Sequence, residues 1–223
     1  MDFPNRLQLE RSVTLALARA SSRHRRELLG YLGDPPDARR VPEDFWRRVE
    51  EDQRTVLVAW LAWLFAANAV RHGGDATQAL AQGQQWAAAR AGDVARVYTV
   101  TSRDRTGNAA DGAGATEVRR RVLDGVFGPT RDAGIGTTET TKASSSGAEW
   151  AIHATGREAE GDRWRTERDA SVCPVCRPLH GTPRSVWSRE FEFGPPAHPN
   201  CRCDIVYAAS AGPIPPDFPE PPG

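Results

Sequence analysis

Residues 173–203 begin with Cys-Pro-Val-Cys at 173–176 and end with His-Pro-Asn-Cys-Arg-Cys at 198–203. All four cysteines and two of the five histidines of the chain lie between these ends. The first motif has the C-x-x-C spacing of a zinc knuckle, in which a tight turn presents two thiolates to one ion and directs backbone N–H groups at the sulfurs. The second motif supplies three more candidate ligands, so this stretch predicts a small domain folded around a metal ion.

A tetrahedral zinc site needs four ligands, and the strongest candidates are Cys173 and Cys176. His198 and Cys203 come next, because a turn can bring two residues five apart to the same ion. Cys201 lies two residues from Cys203 and would crowd it in an extended segment, but the intervening Pro-Asn turn leaves Cys201 as an alternative ligand. Four protein ligands leave no position for water, which indicates structural rather than catalytic zinc. Four free thiols without an ion are the competing interpretation.

The length, charge and N-terminal sequence indicate the class of protein, and the compartment they imply favours a metal site over disulfides. The 223 residues suffice for one or two domains, and the 29 basic and 29 acidic side chains give no net charge that would indicate a nucleic-acid or membrane partner. We expect no signal peptide, because residues 1–10 lack an apolar run, and therefore a reducing compartment in which cysteines stay as thiols. The most apolar run, residues 56–67, is too short to span a bilayer, so we expect no membrane partner.

Apolar spacing predicts three long helices in residues 1–100. The first covers about 5–31, the second runs from Pro42 to about His72, and the third begins at Asp75 and ends near Gly92 or continues weakly to Val100. The second helix is apolar nearly all round between 56 and 67, which favours a core helix of the same domain. The alternative is a docking surface for another protein, for which the candidate residues are Trp60 and Trp63.

Residues 101–114 are poor in apolar side chains, and their Gly, Asp and Asn content predicts a flexible loop and hinge. A short basic helix follows over 117–127 and contains Arg119, Arg120 and Arg121. We interpret these arginines as a solvated face, with contact to DNA phosphates as the alternative.

The composition changes again after residue 131. We predict a helix over 137–150, a strand at 164–166, and a proline-rich tail over 208–223 that is extended and mobile or folds only onto a partner. The predicted fold class is a mainly α N-terminal helical region followed by a small α+β C-terminal domain of the zinc-knuckle type. The C-terminal domain spans residues 115–207.

Catalysis has weaker support in the sequence. His180, His198 and Asn200, with Asp169 as a possible fourth member, suggest a metal-dependent nuclease beside a structural zinc, but they form no ordered catalytic motif. His180 precedes a glycine and is predicted to be a hydrogen-bonding turn residue. No G-x-S-x-G motif or phosphate-binding glycine loop is present, so the sequence names no catalytic residue.

Three segments of residues 115–206 resemble the phage head morphogenesis family, the Mu F-like minor head proteins of tailed bacteriophages. The sequence I-G-T-T-E-T at 135–140 is similar to the family's I-A-R-T-E segment. The second segment is W-R-T at 164–166, followed by Asp169, the C-x-x-C motif and L-H-G at 179–181. The third is P-P-A-H-P-N-C-R-C at 195–203.

The resemblance implies a minor capsid protein, without established catalytic activity, that joins the procapsid at or near the portal vertex before or during DNA packaging. The implied partners are the portal protein and the major capsid or scaffold protein. The implied location is the capsid interior or portal vertex of a virion assembled in the host cytoplasm. Two alternatives are the metal-dependent nuclease and a DNA-binding accessory protein that contacts the packaged genome through residues 119–121.

Overall fold

The computed structural model describes residues 6–111, 114–166, 172–209 and 211–222 of the chain. The described elements are mostly helices, joined by short turns and one pair of strands. In chain order they are α1 (Arg6–Leu32), α2 (Glu43–Arg71), α3 (Ala76–Ala110), α4 (Ala115–Arg121), α5 (Pro129–Ala154), β1 (Arg163–Arg165), α6 (Arg184–Trp187) and β2 (Asp204–Val206).

Helix α2 is the centre of a bundle and packs against α1, α3 and α5. Its apolar side chains are buried on several faces, among them Leu57, Leu61 and Leu64. This confirms the prediction of a core helix. Among the described residues, α2 is the one helix long and apolar enough to cross a membrane by length and composition, and 61% of its most apolar window is buried inside the protein.

Two glycines let neighbouring helices approach α2 closely. A Cβ atom on Gly147 of α5 would lie 2.0 Å from the carbonyl oxygen of Phe65, and one on Gly83 of α3 would lie 2.8 Å from the carbonyl oxygen of Ala62. No larger side chain fits at either position, because interiors are close-packed and both obstacles are backbone atoms. The small residues of α5 therefore serve helix packing.

The prediction of a flexible loop at residues 101–114 is wrong for 101–110, because α3 continues to Ala110, whereas residues 112 and 113 lie outside the described residues. Ser102 and Thr106 are buried there, and each donates its hydroxyl hydrogen to the carbonyl four residues earlier. Short polar side chains satisfied in this way can be buried in a helix although they carry no apolar signal. The third helix therefore extends beyond its predicted end.

Helix α5 is also longer than the predicted 137–150, and it belongs to the bundle. It begins with Pro129, whose fixed φ suits a first helical turn. Helix α5 packs on α1 and α2 and also contacts β2, so it joins the bundle to the small β1–β2 region. The strands are antiparallel, with Trp164 opposite Ile205.

A buried polar network links three of the helices. The hydroxyl of Ser21 on α1 donates to Asp132 Oδ1 on α5 over 2.9 Å, and Tyr98 of α3 lies 2.9 Å from the same Ser21 oxygen. Desolvation raises the pKa of Asp132 to about 6. The network fixes the relative position of α1, α3 and α5, because each buried polar group depends on the others for its hydrogen bond.

The two predicted docking residues do not form an open surface. Trp60 is buried in the core, and Trp63 is partly buried beneath the C-terminal segment 211–222. The tail was predicted to be mobile or to fold only onto a partner, but this segment lies on α2 of its own chain. Ile214 and Phe218 supply the apolar contacts that keep it there.

Candidate metal centre

The first half of the centre is the turn that begins at Cys173. The backbone N–H of Cys176 faces the Cys173 sulfur over 3.3 Å, and the N–H of Arg177 donates to the Cys173 carbonyl over 3.0 Å. A short 3-10 turn at Arg177–Leu179 continues the chain away from the sulfurs. The C-x-x-C motif therefore forms the predicted tight turn with N–H groups directed at sulfur.

The second half is the loop from His198 to Cys203. Asn200 has a φ of 62°, and the N–H of Cys201 donates to the His198 carbonyl over 3.2 Å. Asparagine tolerates this left-handed conformation better than most residues. The bend predicted for the Pro-Asn dipeptide is present, and it directs Cys201 and Cys203 into the same buried region.

The hydrogen bonding of His198 leaves one ring nitrogen available for a metal. Its Nδ1 lies 2.7 Å from the carbonyl oxygen of Pro199, which can only accept. We therefore assign the ring proton to Nδ1 and the lone pair to Nε2. That Nε2 atom lies 2.9 Å from Cys173 Sγ and 3.2 Å from Cys176 Sγ.

Five candidate ligands form two overlapping triads. Cys173, Cys176 and His198 have ligand atoms within 4.8 Å of one another, and so do Cys176, Cys201 and Cys203. The Cys176 sulfur belongs to both triads and lies 3.7 Å from the Cys201 sulfur. The five residues are thus positioned to bind a metal ion.

The donor set fits a tetrahedral ion, and one sulfur–sulfur edge already has the spacing of bound ligands, but no four of the five ligand atoms all lie within 4.8 Å of one another. Two thiolates bound to zinc at about 2.3 Å lie roughly 3.7–3.8 Å apart, which agrees with the separation of Cys176 and Cys201. The contacts of His198 Nε2 with Cys173 Sγ at 2.9 Å and Cys176 Sγ at 3.2 Å are shorter than the roughly 3.5 Å of a sulfur–nitrogen edge, so these atoms must move apart by up to about 0.6 Å to bind an ion. Thiolate and imidazole are ligands that zinc prefers.

Hydrogen bonding makes the Cys201 thiol more acidic than the neighbouring thiols of Cys176 and Cys203. A hydrogen bond from the Cys203 thiol lowers the pKa of Cys201 against the effect of burial, and the backbone N–H groups of Cys203 and Ala197 add to this. The same contact raises the pKa of Cys203, and burial raises the pKa of Cys176. Burial also acts to raise the pKa of Cys173, but N–H donation from Cys176 lowers it overall.

A small apolar cluster surrounds the sulfurs. Trp164 and Trp187 are fully buried there, together with Ile205 and three of the cysteines. Below about 40 residues a domain usually needs a metal or disulfides to stay folded, and this region has few large aliphatic side chains of its own. The cluster and the cysteines therefore belong to one folding unit.

Two residues of α5 connect this unit to the helical bundle. The N–H of Asn200 donates to Thr138 Oγ1 over 2.8 Å, and the Thr141 hydroxyl donates to the Cys201 carbonyl over 3.0 Å. Between them, Glu139 is buried and bound by both Nε and Nη2 of Arg90, at 2.7 and 2.6 Å. Thr141 and Arg90 were not singled out from the sequence, and Thr138 was named only within segment 135–140, although Thr138 and Thr141 are three apart, a spacing that puts them on one helix face.

A second connection joins α6 to α5. The guanidinium of Arg184 binds both carboxylate oxygens of Glu149 at 2.9 and 3.0 Å, and its Nε lies 2.8 Å from Asp162. Both carboxylates are buried, so the pairs are shielded from solvent. Arg184 thereby fixes the β1–β2 region against the bundle.

The remaining candidate residues lie apart from the sulfur cluster or outside the part of the chain that the structure describes. His180 accepts through Nδ1 from the backbone and hydroxyl of Thr166, which confirms a hydrogen-bonding turn residue. Asp169 lies outside the described residues. Arg119, Arg120 and Arg121 are exposed on α4, and Glu117 pairs with the last two.

The chain was compared with protein-family models, curated proteins and solved structures. No match was found in any of the three comparisons.

Proposed function

We propose that the chain is a head-assembly protein of a tailed bacteriophage, a minor capsid component that joins the procapsid at the portal vertex. One observation supports this most directly. Segments 135–140 and 195–203, two of the three pieces that carry the resemblance, lie against each other, because the Asn200 N–H donates to Thr138. Thr141, the residue after the first segment, adds a hydrogen bond to the Cys201 carbonyl. The residues that resemble the family thus lie together in one unit around the metal centre.

The proposed ion is zinc, held by Cys173, Cys176, His198 and Cys201. The Cys176–Cys201 separation fits a tetrahedral edge, and the Cys201 carbonyl and Asn200 N–H are bound to α5, which fixes that loop. Cys203 then lies beside the centre and donates its thiol hydrogen to the Cys201 sulfur. This assignment reverses the order of preference that spacing gave to Cys201 and Cys203.

Four protein ligands make the zinc structural. When bound, it supplies a fixed cross-link between two loops and no open coordination position for a substrate. The chain's own residues extend that cross-link into the bundle, through Thr138 and Thr141 on one side and Arg184 on the other. The result is a rigid body, which suits a component that must keep one shape while a shell assembles around it.

The proposed partners are the portal protein and the major capsid or scaffold protein, in the capsid interior or at the portal vertex. Contact with packaged DNA has less support, because Glu117 pairs with two of the three exposed arginines. A nuclease centred on His180 has less support too, because Thr166 engages its Nδ1 atom.

The test is incorporation into procapsids. The chain is expressed with the structural genes that flank its own gene, and purified procapsids are analysed by quantitative mass spectrometry. We expect a small fixed number of copies in procapsids that contain portal protein and none in portal-free shells. Cys176→Ser should abolish incorporation and zinc binding, whereas the matched control Cys203→Ser should retain both.

Absence of the chain from portal-containing procapsids would refute the proposal. So would a metal-loaded chain that cleaves DNA and loses this activity, with its fold intact, in His180→Ala. Binding to DNA that weakens steeply with added salt and requires residues 119–121 would favour the DNA-binding alternative.

A further inference from the structure

The C-terminal segment 211–222, called the tail segment below, occupies a groove on α2. At one end the Gly212 N–H donates to the Arg71 carbonyl over 2.7 Å, and Arg71 Nε donates to the Gly212 carbonyl over 3.4 Å. At the other end the Trp63 indole N–H donates to the Pro219 carbonyl over 2.7 Å. The Phe218 ring lies edge-on to Trp63, with centroids 6.4 Å apart.

The chemistry of this groove suits a proline-rich peptide. Ile214 and Phe218 lie against the apolar core beside Trp63 and Trp86. An aromatic-lined groove with a donor for a peptide carbonyl is a recurring way in which proteins recognise proline-rich segments. Six of the ten residues 213–222 are prolines, so the segment has few conformations to lose on binding.

The tail segment is only partly covered by its groove. None of its described residues is buried, and Ile214 and Phe218 are only half-covered. Tyr207 and Ala208, which follow β2, are anchored by hydrogen bonds to Glu149 and Asp162, and the small residues at 209 and 210 join them to the tail segment. The segment can therefore leave the groove without removing a residue of β2 or of the metal centre.

We propose that the groove is an interaction surface between copies of this chain, in which the tail segment of one copy occupies the groove of a second. Both copies carry the same groove and the same tail, so the exchanged contact has the same chemistry as the contact within one chain. The tail of the same copy competes with the tail of a second copy for each groove. The attached tail occupies the groove in dilute solution, and exchange is favoured at high concentrations of the chain. This inference does not depend on the metal centre or on the proposed role in a phage head.

A complementation experiment tests the exchange. Phe218→Ser disables the tail and keeps the groove, and Trp63→Ala disables the groove and keeps the tail. We expect each variant alone to be monomeric by light scattering, and an equimolar mixture to form a 1:1 dimer. The mixture should associate at least about tenfold more tightly than the unaltered chain, because no attached tail competes for the open groove.

A peptide of residues 211–222 provides a second test that does not need the Trp63 variant to fold. It should bind the Phe218→Ser chain saturably, while the same peptide with serine in place of Phe218 should not. Circular dichroism and metal content check that the variants remain folded. A mixture that stays monomeric, a peptide that does not bind, or a dimer of the unaltered chain that survives Phe218→Ser would overturn the proposal.

Discussion

The close approach of α5 to α2 at Gly147 predicts that Gly147→Ala is strongly destabilising. The new Cβ atom would lie 2.0 Å from the Phe65 carbonyl oxygen and 2.8 Å from the carbonyl carbon. Reaching even 3.0 Å requires α5 and α2 to separate by about 1 Å, and overpacking of this kind costs about 1–3 kcal/mol. We take the upper end because both obstacles are backbone atoms, and subtract about 1 kcal/mol for the better helix propensity of alanine.

The expected net loss is about 2 kcal/mol, or a fall of roughly 4–8 °C in Tm for a chain of this size. Urea unfolding followed by circular dichroism measures the loss, and Gly92→Ala is the matched control. Gly92 lies inside α3 with no atom within 4 Å of its added Cβ, so that change should stabilise the chain by up to about 1 kcal/mol. A Gly147→Ala chain as stable as the unaltered one would refute the close approach of α5 to α2.

Three further predictions concern single side chains. Burial raises the pKa of Asp132 to about 6, so its contribution to the unfolding free energy is present below pH 4 and is lost as the pH rises through 6. Urea titrations at pH 4 and pH 7 should therefore show that the unaltered chain loses on the order of 3 kcal/mol relative to Asp132→Asn. Because Asn200 has a positive φ, Asn200→Gly should change the unfolding free energy by less than about 0.5 kcal/mol, whereas Asn200→Ala should lower it by about 1 kcal/mol. Thermal melts in which the two variants have equal effects would contradict this prediction. Glu139→Gln should cost about 1–3 kcal/mol, because it removes the charge that binds Arg90 in a buried site, whereas the exposed control Asp93→Asn should cost less than about 0.5 kcal/mol in the same urea assay.

The sequence predicted those parts of the fold that have a periodic apolar pattern. The start and end of α1 and α2 agree with the spacing of their apolar residues to within one or two positions, and α2 is the expected core helix. The end of α3 could not be predicted in this way, because Ser102 and Thr106 are buried through hydrogen bonds to their own helix. Helical segments built from small polar residues give no hydrophobic signal.

Long-range packing accounts for the differences in α5 and the tail segment. Glycine and serine in α5 lower its helix propensity, yet Gly147 is required because α2 approaches so closely there. The tail segment has the composition of a mobile chain, but Ile214 and Phe218 pack against an apolar groove on α2. Neither partner surface is visible from the local sequence.

The candidate ligands of the metal centre could be predicted from the sequence, but their arrangement could not. Spacing identified all five candidate ligands, since a C-x-x-C turn followed by clustered cysteines and histidine is typical of a metal site in a reducing compartment. The choice between Cys201 and Cys203 depends on the bend at Asn200 and on the contact of Thr141 with the loop, and both are tertiary features.

Metal stoichiometry combined with X-ray absorption on the purified chain tests the central claim most directly. The account predicts one equivalent of zinc in a shell of three sulfurs at about 2.3 Å and one nitrogen at about 2.0–2.1 Å. It also predicts that a strong chelator unfolds the region around β1 and β2. A folded chain with less than about half an equivalent of metal, freely titratable thiols and no response to chelator would contradict it.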